Sequence, residues 1–248
     1  MQRGRRATGS TIVALNLILL FQEDFVDSSR VRLTGRRLEH VSSVHRAKVG
    51  ESLTVGELNG RIGRGVVIRL DDALELEVTL DAEPPPKLPL TLVLALPRPK
   101  VLNRVVAGAT SLGLQRLILI NAWRVEKSYW KSPRLSEENL FLQRVLGLEQ
   151  ARDTVLPAIE LRRLFRPFVE GELPAIADGS RRLVAHPHAT GDLPRAVQEP
   201  VTLVIGPEGG FIEQELSSLD RAGFTRASLG PRILRTETAV AAVVGRLF

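Results

Sequence analysis

Three consecutive prolines divide this chain before any periodicity is counted. In Glu83-Pro84-Pro85-Pro86-Lys87 neither a helix nor a strand ladder can continue, because each proline lacks an amide donor and has its φ fixed. Such a run makes a stiff, extended spacer. The two sides of it carry different patterns. Downstream, residues 90–96 and 116–120 are unbroken apolar runs suited to strands buried on both faces. Between them Val101, Leu102, Val105, Val106 and Ala109 recur at helical spacing and stop at Gly113, as a glycine cap would end them. Residues 134–152 predict a long helix, and short apolar runs at 158–161, 183–185, 201–205 and 227–229 predict further strands. Strands alternating with helices predict a parallel α/β domain over residues 88–248, with 84–87 as the linker.

Upstream the pattern is shorter. Residues 16–21 predict a first buried strand, and Leu38, Val41 and Val44 mark one face of a short helix. Two β-type runs, 52–58 and 61–70, flank Asn59-Gly60, a strong hairpin-turn pair, and 74–80 alternates as another strand. Residues 16–83 therefore predict a small β-rich domain. Residues 1–15 predict a mobile basic tail. Arg3, Arg5, Arg6 and the apolar run after them resemble the start of a signal peptide, but the run passes directly into Gln22-Glu23-Asp24 without a cleavage pattern and is too short to span a bilayer. The expected location is cytoplasmic, with no membrane partner.

The formal net charge of +6 favours a polyanionic partner. With no cysteine the chain has no disulfide, no cysteine-rich zinc or iron–sulfur site, and no thiolate nucleophile. With only four histidines, of which His186 and His188 alone lie close together beyond the first fifty residues, no metal site is expected. The β-rich domain groups Arg36, Arg37, Arg46, Lys48, Arg61 and Arg64 into a plausible phosphate-contacting face. In the α/β domain, residues 121–133 hold both tryptophans and the single tyrosine, interleaved with Arg124, Lys127 and Lys131. That composition suits either stacking on an RNA strand or anchoring of a long loop by Trp123 and Trp130.

Two glycine-marked turns near the end of the chain carry the chemistry. The first is Gly206-Pro207-Glu208-Gly209-Gly210 after Leu203 and Ile205; the second runs from Leu229-Gly230 through Ile233, Leu234, Arg235, Thr238 and Ala239. Each follows an apolar run and precedes a helical pattern, placing it where ligands bind in open α/β sheets. The first lacks the Lys-Ser/Thr ending of a P-loop, and its carboxylate would repel phosphate. A partly cationic ligand read by main-chain groups fits better, and S-adenosylmethionine has that character.

Both turns closely resemble the two signature motifs of the RsmE family, the bacterial 16S rRNA uridine-N3 methyltransferases. The likeness continues in Glu149-Gln150 with Pro157, in His186-Pro187, and in the first domain at His40-Val41, Arg46, Gly50 and Asn59-Gly60. The resemblance implies a SPOUT-type α/β domain with a trefoil knot and helices on both faces of a parallel sheet, a PUA-like RNA-binding β-barrel before it, and a homodimer acting on 16S rRNA in the small ribosomal subunit. It implies a cofactor pocket for S-adenosylmethionine formed by Leu203, Ile205, Gly206, Pro207, Glu208, Gly209, Gly210, Leu229, Gly230, Ile233, Leu234, Thr238, Ala239 and His186. Glu208 is expected either to cap the following helix, residues 211–222, and brace its loop, or to contact the cofactor. Arg235 is the candidate catalytic residue, placed to stabilise negative charge on a uracil whose N3 proton has left; pairing with Glu237 or Glu208 is its structural alternative. A related knotted methyltransferase acting on tRNA or a ribose hydroxyl, and a non-catalytic RNA-binding protein, are the alternatives.

Overall fold

The computed structural model describes residues 16–248, so the basic tail expected at residues 1–15 lies outside the described residues. The chain divides into two units, one ending at Glu83 and the other spanning Pro84–Phe248.

The first unit contains β1 (Ile18–Leu20), β2 (Arg30–Leu33), α1 (Gly35–His40), β3 (Ser52–Glu57), β4 (Ile62–Leu70) and β5 (Leu74–Ala82). They form a five-stranded mixed sheet in the order β1-β3-β4-β5-β2. β1 runs parallel to β3 and the remaining pairs are antiparallel. Asn59 takes a left-handed φ of 59° in the β3–β4 turn, which asparagine tolerates better than most side chains. α1 is extended by a π turn over Val41–His45. Val31, Leu33, Val55, Val67, Leu74 and Leu76 are fully buried beneath it with Val41.

A buried ion pair ties α1 to the first strand. Arg37 Nη2 donates to Asp24 Oδ1 at 2.6 Å, its Nη1 also engages Asp24, and it donates to the Leu19 carbonyl at 2.9 Å. Asp24 further accepts from the Phe21 amide at 2.7 Å, and the guanidinium lies over the Phe21 ring. Both partners are largely out of solvent. Such a pair holds the local geometry chiefly because losing one partner strands a buried charge.

The second unit contains β6 (Leu88–Ala95), α2 (Pro99–Ser111), β7 (Leu114–Ile120), α3 (Glu137–Ala151), β8 (Ala158–Arg162), α4 (Phe165–Pro167), α5 (Leu173–Ile176), β9 (Arg181–Ala185), β10 (Val201–Ile205), α6 (Glu213–Arg221), β11 (Thr225–Ala227) and α7 (Thr236–Leu247). Its six strands are all parallel, in the order β11-β9-β10-β6-β7-β8. From β6 the chain steps outward through β7 to β8, then crosses to the far side for β9 and returns to insert β10 beside β6. Because parallel crossovers are right-handed, this reversal places α2 and α3 on one face and α4 to α6 on the other. α2 packs on α3 and α7, while α6 packs against the π turn that joins α4 to α5. The central strands are apolar along their whole length because both faces are covered; all five residues of β10 are buried. The reversal at β6–β10 is the topological switch point, where the carboxyl ends of strands open a crevice.

The last strand ends two residues before the sequence suggests. Ala227 is the final residue paired with β9, opposite Ala185. Gly230 follows at φ +135°, a backbone conformation that a Cβ opposes, and Leu229 turns out of the sheet. No helix among the described residues is long and apolar enough to cross a membrane.

Candidate active site

Three strand ends lie side by side at one level of the sheet. Ala185 of β9 pairs with Ile205 of β10 on one side and with Ala227 of β11 on the other. The chain leaving each strand makes one wall of a cleft: Ala185-His186-Pro187, then Ile205 to Glu208 with Gly210 and Phe211, then Leu229, Gly230 and Arg232 to Leu234. The floor is α7, through Thr236, Ala239 and Val243, spaced three and four apart on one helical face. The cleft holds about 760 Å³ of empty space including its open mouth, and its lining is mainly apolar.

Local bonding fixes the walls. The His186 amide donates to the Ala227 carbonyl at 2.9 Å, and the buried Ser228 hydroxyl accepts from the Gly230 amide at 3.1 Å while lying 3.3 Å from the Pro187 carbonyl. In the first glycine turn the Gly210 amide returns to the Pro207 carbonyl at 2.8 Å. A Cβ on Gly206 would stand 3.0 Å from the Phe211 ring, so a larger residue there requires that ring to give way. His186 is held below its ordinary pKa by partial burial, then by the neighbouring His188 and Arg226. Its Nδ1 accepts from the His188 amide at 3.3 Å, as a neutral imidazole can.

Of the cofactor residues expected from sequence, Ile205, Gly206, Pro207, Glu208, Gly210, Leu229, Gly230, Ile233, Leu234, Ala239 and His186 line the cleft. Three do not. Leu203 is fully buried within β10, two residues short of the strand end. Thr238 is exposed on α7, rotated about 200° from Thr236 at ~100° per residue and so turned off the floor. Gly209 presents its carbonyl outward to the Arg124 guanidinium.

Glu208 does not cap the next helix. That role belongs to Glu215, whose Oε2 accepts from the Ile212 amide at 3.0 Å in a capping arrangement. Glu208 lines the cleft instead, with Arg98 Nε 3.8 Å away. Ala185, Pro187, Phe211, Arg232, Thr236 and Val243 line the cleft without having been expected. The Thr236/Ala239/Val243 spacing was the available signal for the floor.

Arg235 is the N-cap of α7, and its carbonyl accepts from the Ala239 amide at 2.7 Å. Its side chain is exposed and makes no ion pair among the described residues; Glu208 and Glu237 face Arg98 and Arg104 instead. The bracing alternative is thereby removed.

The basic residues fare unevenly. Arg36, Arg46, Lys48 and Arg64 are exposed on the first unit, and Arg124 and Lys127 on the second. Arg61 is exposed but paired with Glu83 at 2.9 Å. Arg37 is a correction: its guanidinium is committed to Asp24 and Leu19 and does not belong to a phosphate-contacting face. The two tryptophans separate. Trp130 is buried and donates to Asn121 Oδ1 at 2.9 Å, whereas Trp123 is 78% exposed.

Comparison with known proteins converges on this unit. Residues 84–247 match the family described as RNA methyltransferase domain. The ribosomal RNA small subunit methyltransferase E of Mycobacterium tuberculosis is 32% identical over 224 residues, covering 83% of this chain and 81% of the relative. The chain belongs to the ribosomal RNA small subunit methyltransferase E family. The Treponema pallidum family member is 28% identical across 92% of this chain and 88% of its own length. Two solved structures share the fold: family member E from Neisseria gonorrhoeae bound to S-adenosyl methionine (TM-score 0.71, 22% identity, 92% of this chain and 95% of that one), and a methyltransferase from Legionella pneumophila in complex with the same cofactor (TM-score 0.73, 23% identity, 94% and 96%).

Proposed function

We propose that this enzyme methylates N3 of a specific uridine in 16S rRNA of the small ribosomal subunit, using S-adenosylmethionine. The carrying observation is the apolar cleft at three aligned strand ends, walled by both glycine turns, in a member of this family. The lining fits the cofactor. Main-chain groups of Leu229, Ile233 and Leu234 supply donors and acceptors for an adenine, Ile205, Phe211 and Val243 supply apolar surface, and Glu208 supplies a carboxylate for a cationic group.

When bound, S-adenosylmethionine supplies the methyl group. The chain's own residues position the target and manage charge. Loss of the N3 proton places negative charge on the flanking uracil carbonyl oxygens, and Arg235, exposed beside the cleft at the head of α7, is assigned to stabilise it. A cysteine-dependent attack on carbon 5 is excluded, because the chain has no cysteine.

The C-terminal segment is assigned a trefoil knot. In support, the Leu193 amide donates to the Ser228 carbonyl and the Val197 amide to the Leu247 carbonyl, while Arg246 donates to the Leu193 carbonyl, so the 186–198 segment lies against both the chain after β11 and the end of α7. Residues 16–83 are assigned to a PUA-like RNA-binding domain and 88–248 to the catalytic domain. The enzyme is assigned to the cytoplasm, as a homodimer with RNA-binding surface of one subunit near the pocket of the other. Incubating the purified chain with methyl-labelled S-adenosylmethionine and either small subunits or tRNA tests the substrate class: label belongs in 16S rRNA, and label in tRNA alone contradicts the assignment.

A further inference from the structure

Trp123 is held at its backbone and bare at its ring. Its amide donates to Glu215 Oε1 at 2.7 Å, and that carboxylate is itself buried. The flanking Ala122 and Val125 are buried in the core. Arg124, next in sequence, is tied to the Gly209 carbonyl and packs so closely there that a Cβ on Gly209 would meet its Cδ at 2.9 Å. The Trp123 main chain is therefore held by α6, while the neighbouring Arg124 side chain grips the glycine turn that walls the cleft. Yet the indole is 78% exposed. Leaving so large an apolar ring in water forgoes its burial energy, and a held backbone beneath it lowers the ordering cost of binding.

The surroundings select the partner. Residues 121–135 carry Arg124, Lys127, Lys131 and Arg134 against the single carboxylate of Glu126, and the first three cations are exposed. A flat ring set among cations, next in sequence to the arginine that grips the first glycine turn, matches an unpaired base with its phosphates, since every base has a stacking face and every linkage a negative charge. An apolar protein surface would have to desolvate those cations without compensation.

We propose that Trp123 is a positioning residue that stacks on an unpaired base of the substrate RNA on the outer side of the first glycine turn. This rests on the rRNA methyltransferase function proposed above. Stacking there fixes the strand after the target has left its helix, which base-modifying enzymes require. Trp123 touches neither the cofactor nor the reacting nitrogen.

Three measurements on the full chain test this. Trp123→Ala is expected to lower kcat/KM for small subunits about ten-fold or more, the size of one lost base–aromatic stack, with the Kd for S-adenosylmethionine unchanged and Trp123→Phe restoring most of the loss. A single-stranded uridine-containing oligonucleotide is expected to quench tryptophan emission of the parent chain, and that quenching is expected to vanish in Trp123→Phe, where only the buried Trp130 emits. Wild-type turnover by Trp123→Ala, a loss confined to cofactor affinity, or a shift in self-association marking a second copy as the ring's partner would each overturn it. Quenching persists if the methylation assignment alone is wrong, so the two failures are distinguishable.

Discussion

Glu215 and Trp123 meet across 92 residues of sequence, the buried carboxylate accepting the tryptophan amide at 2.7 Å. With its other oxygen the same carboxylate caps α6 through the Ile212 amide. One side chain thus couples the helix after the first glycine turn to the loop expected to meet RNA. Glu215→Gln keeps the shape but replaces one acceptor with an amide that opposes an N–H donor. A buried donor left unsatisfied costs about 1–3 kcal/mol. The melting temperature is expected to fall by several degrees, read by thermal denaturation, with RNA turnover falling further than cofactor affinity.

Gly206 is constrained by Phe211 rather than by its own backbone. A methyl group there stands 3.0 Å from the ring, which forms part of the cleft wall. Overpacking of this kind costs about 1–3 kcal/mol, so Gly206→Ala is expected to weaken S-adenosylmethionine binding by about ten-fold in calorimetry. Combining it with Phe211→Leu is expected to recover part of the loss, as contacting residues in a double-mutant cycle do.

His186 gives the pocket a pH dependence. Its folded pKa lies below 6.5, first through burial and then through His188 and Arg226. The unfolded chain therefore binds the proton more readily than the folded one. The contribution to stability is fully present above pH 6.5 and is lost as pH falls through the lower folded value. Denaturant midpoints measured from about pH 7 down to about pH 5 are expected to fall more steeply for the parent chain than for His186→Asn.

Much of the fold was legible because its signals are local. The unbroken apolar runs became the buried strands β6, β7 and β10, and Asn59-Gly60 became the β3–β4 turn. β2 was not legible: Arg30-Val31-Arg32-Leu33 alternates over only four residues, too few to distinguish a strand from a loop. The glycine turns announced two cleft walls, but the floor depended on how α7 packs, which is why Val243 was missed and why Thr238, expected at the cofactor, lies exposed off the floor. The Arg37–Asp24 and Glu215–Trp123 contacts join residues that no local pattern links. Charge alone could not tell that the Arg37 guanidinium is held by Asp24, nor that the cap of α6 comes from Glu215, leaving Glu208 to line the cleft.

Arg235 separates chemistry from architecture. It is exposed at the head of α7 and makes no ion pair among the described residues. Arg235→Ala is expected to reduce kcat about 10²- to 10³-fold, the usual cost of removing one donor from a developing anion, with cofactor Kd unchanged. Calorimetry that instead found lost cofactor affinity would assign Arg235 to the pocket.

The central claim is that the cleft serves uridine N3 methylation in 16S rRNA. Nucleoside mass spectrometry of 16S rRNA, from a strain lacking this gene and from the same strain carrying it again, tests that most directly. The account predicts one N3-methyluridine absent from the first and restored in the second, and not restored by Arg235→Ala. An unchanged nucleoside profile, or a missing methyl on a ribose hydroxyl, would contradict it.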